Sequence, residues 1–94
     1  MNFVPQQIDQ ETWAYYLEVP GSLVVLLQAY FESYEGLGTV RTLDIRKSLV
    51  CILTTSSLRE LCGRALESIA GQIDIKSVGK PAEAEKYLGY FKRA

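Results

Sequence analysis

The order in which two residue patterns alternate along the chain constrains its fold more than any other feature. Thr12 to Val19 is rich in aromatic and aliphatic residues, with Trp13, Tyr15, Leu17 and Val19 on one face at period two, and reads as a strand. Pro20-Gly21 ends it, because proline donates no ladder hydrogen bond and glycine opens the backbone for a turn. Ser22 stands where a helix N-cap belongs, and Leu23, Leu26, Leu27, Tyr30 and Tyr34 follow at i, i+3, i+4, i+7 and i+11. Val24, Val25 and Phe31 lie off that stripe. This helix is therefore apolar over more than half its circumference and needs cover on a second side, from the C-terminal segment or from another subunit.

Gly36 and Gly38 supply the open backbone that ends a helix, with Leu37 as the hydrophobic anchor of the cap. Thr39 to Leu43 and Leu49 to Thr54 are both rich in β-formers, and the polar segment Asp44 to Ser48 predicts a hairpin between them. The unbroken apolar run Leu49 to Leu53 suits a central strand with a neighbour on each edge. Ser57 with Glu60 three residues on reads as a capping box for a helix whose stripe is Leu58, Leu61, Cys62, Ala65, Leu66 and Ile69, ended by Gly71. Ile73 to Val78 alternates as a fourth strand. Pro81 then opens a last helix over 81–93, with Glu83 and Glu85 in its first turn, Lys92 and Arg93 in its last, and Ala84, Tyr87, Leu88 and Phe91 as its stripe.

Residues 1–10 are polar and carry Pro5, which predicts a loose lead-in outside the core, followed by a single α+β domain over residues 11–94. Strand, helix, strand, strand, helix, strand, with right-handed crossovers, folds most simply as a ferredoxin-like βαββαβ sandwich. That is a four-stranded antiparallel sheet with two helices on one face, plus the C-terminal helix. The other face of such a sheet is open, and an added helix or a second subunit would cover it.

Composition narrows the function classes. Apolar residues at 48% and charged residues at 22% describe one globular domain. A net charge of −1 gives no field to draw in nucleic acid or an anionic membrane. Met1 to Gln10 lacks the form of a secretory signal, and the longest apolar run, Leu23 to Leu27, is too short to span a bilayer, so a cytoplasmic location is expected. With no histidine, the usual base near neutral pH is missing, and no constellation replaces it. No catalytic residue, metal or cofactor is therefore assigned.

Cys51 and Cys62 match no CxxC, zinc or haem spacing. Counting leaves a disulfide open, but both fall on apolar faces and read as buried thiols. An RNA platform would stack bases on aromatics of both central strands. Trp13, Tyr15 and Tyr16 could serve on the first, whereas Leu49 to Leu53 has no aromatic.

Val19-Pro20-Gly21-Ser22 leading into Leu23 to Tyr34, then Gly36-Leu37-Gly38-Thr39-Val40, resembles the start of ACT domains, small amino-acid-sensing modules with this strand and helix order. That resemblance implies a ligand site in the loop after the first strand, at Gly21 and Ser22. The stretch Tyr34 to Asp44 also resembles a segment of a small uncharacterised bacterial family of unknown function, and it draws attention to Arg41 and Asp44 beside the hairpin. Their plainer reading is a local ion pair or a solvated strand edge.

The resulting expectation is a non-enzymatic small-molecule-sensing or regulatory interaction module, ACT-like in architecture, binding a small metabolite or amino acid at Gly21, Ser22, Arg41 and Asp44. The apolar first helix and the aromatics at helical spacing add a homodimer to this expectation. The competing readings are a protein-interaction scaffold and a small enzyme or enzyme subunit.

Overall fold

The computed structural model describes residues 3–33, 37–81 and 84. Its strands are β1 (Gln6–Gln7), β2 (Thr12–Glu18), β3 (Thr39–Asp44), β4 (Leu49–Thr55) and β5 (Lys76–Ser77), and its helices are α1 (Gly21–Glu32) and α2 (Arg59–Ala70). All five strands join one antiparallel sheet. β2 pairs with β4 along its whole length, β3 closes the far edge of β4, and the outer edge of β2 is shared by β1 and β5. The order β5-β2-β4-β3, with β1 lying end to end with β5, is compatible with the predicted ferredoxin-like arrangement.

Period-two alternation sorts the strands between two hydrophobic clusters. Tyr15, Leu17, Val40, Val50 and Ile52 pack under Leu27 and Phe31 of α1 and Cys62, Leu66 and Ile69 of α2, so both helices lie on one face, as the sequence pattern predicts. On the opposite face Ala14, Tyr16 and Cys51 form a second cluster. Ala84, fully buried and helical, sits in that cluster and begins to cover the face expected to be open. Of the predicted helix over 81–93, Pro81 and Ala84 are described; Tyr87, Leu88 and Phe91 of its stripe lie outside the described residues, as do Tyr34 and Gly36.

Several local expectations are corrected. The first ten residues are not wholly a lead-in, because Phe3 is buried in the main cluster and β1 pairs Gln6 with Ala14 and Gln7 with Trp13. Having β1 on that edge leaves β5 only the end of β2, opposite Leu17 and Glu18. The fourth strand is accordingly two residues rather than Ile73 to Val78, residues 71–75 being drawn into the turn that closes α2 through Ile73 N–H to the Ile69 carbonyl. The N-cap of α1 is Pro20, not Ser22, because φ −51° and ψ 136° already give Pro20 the non-helical backbone a cap requires. The capping box at Ser57 is not formed: Leu58 is the N-cap of α2, and the Ser57 hydroxyl lies 3.3 Å from that of Thr55.

The core stripe of α1 runs through Leu27 and Phe31, with Leu23, Val24 and Tyr30 half-buried beside it. Leu26, predicted to face the core, is 53% exposed. A helix apolar over more than half its circumference carries little hydrophobic contrast to fix which side turns inward, and here Leu27 and Phe31 are the residues buried against the sheet. Leu61 of α2 likewise points outward.

Close approach explains two glycines. A Cβ on Gly38 would stand 2.8 Å from the Ile52 methyl, and one on Gly63 would stand 2.6 Å from the Tyr15 hydroxyl, which donates to the Arg59 carbonyl at 2.6 Å. Gly63→Ala should therefore destabilise by about 1–3 kcal/mol, although alanine is the better helix former. Denaturant unfolding of a double-mutant cycle checks the cause: in a Tyr15→Phe background, where the obstructing oxygen is gone, the same substitution should cost much less.

Candidate functional site

The hairpin between β3 and β4 is built to hold one shape. Asp44 Oδ1 accepts the backbone N–H of Arg46 at 2.9 Å and of Lys47 at 3.2 Å, an Asx turn that fixes the start of the loop. Ser48 adopts φ 58°, in the left-handed region, and its N–H reaches back to the Ile45 carbonyl at 3.3 Å. The Ser48 carbonyl then accepts Val19 N–H at 2.8 Å, tying the loop to the end of β2 immediately before α1 begins. A register shift between Thr42 and Asp44 bends the same end of β3.

These constraints seat the turn beside the first turns of α1 and leave a pocket of about 190 Å³ between them. Val24, Val25, Ile45, Leu49 and Val50 supply its apolar lining, with Gly21, Thr42, Asp44 and Ser48 around them. Ile45 is 79% exposed and Val25 71% exposed. The first turn of α1 has neither a side-chain cap nor an acidic residue of its own, so the helix supplies no side-chain partner for its leading amides.

Of the four residues singled out in the sequence, Gly21 and Asp44 are brought together at this pocket. Ser22 is exposed in the first turn of α1 and is not part of the lining. Arg41 lies on β3 opposite Cys51, and it lines a separate depression of about 280 Å³ with Gln28, Phe31 and Glu32. A third depression of about 340 Å³ is lined by charges of both signs, Glu18, Arg46, Lys47, Asp74 and Lys76. Sequence reasoning missed Val24, Val25, Ile45, Leu49 and Val50 as lining. The available signal was Ile45, an apolar residue in an otherwise polar turn.

The reactive side chains of the core are spent on packing. Cys51 and Cys62 are free, buried and on opposite faces of the sheet, which rules out a bond between them. Burial pushes both thiols up from 9.0 to about 12, with Arg41 pulling Cys51 and a Thr54 hydrogen bond pulling Cys62 weakly the other way. Burial also pushes Tyr15 up from 10.0 to about 12. Tyr15 and Tyr16 are turned into the two clusters, while Trp13 donates from Nε1 to the Ser56 hydroxyl at 3.1 Å and carries the Arg59 guanidinium 4.3 Å above its ring. Among the described residues no group of three or more Cys, Asp or Glu could hold a metal ion, and no helix is long and apolar enough to cross a membrane.

The raised pKa values set a pH dependence. Cys51, Cys62 and Tyr15 hold their protons more tightly folded than unfolded, so above pH 9 the unfolded chain binds fewer protons than the native one. Stability from these groups is whole below pH 9 and is lost as pH rises towards 12. Urea unfolding at stepped pH should show that decline, and replacing both cysteines by alanine should make its slope shallower. The thiols should also resist a disulfide reagent at pH 8 until the chain is denatured.

Comparison with curated proteins and with solved structures gives no match. Residues 17–73, from the end of β2 through α1, the hairpin and α2, match a domain of unknown function, DUF4911. That segment is more than half of the chain and contains the whole lining of the α1–hairpin pocket, and the protein belongs to the DUF4911 family.

Proposed function

We propose that this protein is a non-enzymatic, small-molecule-sensing regulatory module of ferredoxin-like, ACT-like architecture, and that its ligand is a small amino acid with an apolar side chain. The observation that carries this reading is the pocket between α1 and the hairpin, where an apolar lining meets a few polar groups. In this reading the ligand side chain enters among Val24, Val25, Ile45 and Val50. Its carboxylate meets the uncapped first turn of α1 at Gly21, and its ammonium meets the negative charge of Asp44. The volume suits a ligand of amino-acid size rather than a nucleotide. The strand order and the placement of both helices on one face support the architectural part of the reading.

Binding without turnover is favoured because no histidine is present and both thiols are held protonated by burial. Two unpaired buried thiols also suit a reducing compartment, which supports a cytoplasmic location.

Thermal unfolding in the presence of valine, leucine and isoleucine, with glutamate and nucleotides as controls, tests the proposal. A selective upward shift is expected for the apolar amino acids, corresponding to about 2.7 kcal/mol at a hundredfold excess over Kd. Val25→Trp, which narrows the pocket at an exposed position, should abolish it. No shift at millimolar ligand, or an undiminished shift in Val25→Trp, contradicts the reading.

A further inference from the structure

The solvent side of α1 carries a second ordered pattern. Ser22, Leu26, Ala29 and Ser33 recur at spacings of four, three and four, the seam of a helix pair, and all four are exposed. Leu26 is 53% exposed although the helix already buries Leu27 and Phe31 on its core side. A helix apolar on both sides is normally covered on both.

The pattern is self-complementary in one orientation. When two copies of α1 pair antiparallel about a two-fold axis, with paired residue numbers summing to 55, Leu26 faces the partner's Ala29 and Ser22 faces the partner's Ser33. Each large side chain then meets a small one, as an isologous contact requires. Charge selects the same orientation. Glu32, in the last turn, is the one charged residue of α1, and it stands where the helix dipole disfavours a negative group. The cationic turn residues Arg46 and Lys47 belong to the hairpin held beside the first turn of α1, since Gly21 and Ile45 line one pocket. An antiparallel pair brings each copy's Glu32 to the cationic turn of the other, whereas a parallel pair sets Glu32 against Glu32.

We infer that the exposed stripe Ser22-Leu26-Ala29-Ser33 of α1 is the interface of a two-fold symmetric homodimer with antiparallel α1 helices, braced by Glu32 against the partner's Arg46 and Lys47. The inference needs no bound ligand, and its central residues Leu26 and Ala29 are not part of the pocket lining. It therefore stands or fails separately from the amino-acid reading.

Sedimentation equilibrium of the full chain without ligand, from micromolar to hundreds of micromolar, tests it. The wild type is expected to be a dimer. Leu26→Glu and Ala29→Glu should each weaken it about tenfold or more, with circular dichroism confirming the native helix content. Ala29→Glu decides the point if Leu26→Glu fails to fold. Glu32→Lys should also weaken the dimer, and adding Arg46→Glu and Lys47→Glu to that variant should restore it. A chain that stays monomeric throughout overturns the inference. So does a dimer indifferent to both Leu26→Glu and Ala29→Glu, or a Glu32→Lys defect that the reversed turn charges leave unrepaired.

Discussion

Seven residues of β2 pair with seven of β4, from Thr12 opposite Thr55 to Glu18 opposite Leu49, and every other element takes its position from this ladder. Ala14 through Leu17 are all buried, which is possible in a strand only when both faces are covered. Tyr15 and Leu17 commit one face to the helices, and Ala14 and Tyr16 commit the other to the cluster that includes Ala84. A one-residue slip in register would exchange the two sets and drive the Tyr16 hydroxyl under α2, where Gly63 leaves room fitted to Tyr15.

The same ladder places the candidate site. β2 ends at Glu18, and Val19 is bonded through its N–H to the Ser48 carbonyl, so the chain enters α1 already fastened to the hairpin turn. Pro20 turns it, and the helix starts within reach of that turn. The pocket is thus a product of two strand ends meeting one helix start. That is the region where backbone amides lack partners of their own and where α+β folds leave space for ligands.

Elements defined by strong periodicity were legible in the sequence: the aromatic β2 run, the apolar β4 run, the hairpin between β3 and β4, and the core stripe Cys62, Leu66 and Ile69 of α2. What escaped was decided by competition between elements. Pattern alone could not choose between Leu26 and Phe31 as the inward residue of α1. β1 and β5 compete for one edge, and a two-residue strand such as Gln6–Gln7 has no periodicity to detect. Ser22 and Ser57 were plausible caps whose neighbours took the role. For the site, Gly21 came from the resemblance to ACT domains and Asp44, like Arg41, from its charge beside the hairpin; Asp44 lines the pocket, whereas Arg41 sits on β3 in register with Cys51 and lines a separate depression.

The central claim is that ligand recognition is seated where the first turns of α1 meet the β3–β4 turn. Titrating isotope-labelled protein with leucine and following backbone amide shifts tests this most directly, because it locates binding without presuming its strength. The account predicts saturable shifts concentrated at Gly21 to Val25 and at Asp44 to Val50, with β2 and α2 nearly unmoved. Shifts confined to other elements, or none at millimolar leucine, would contradict it.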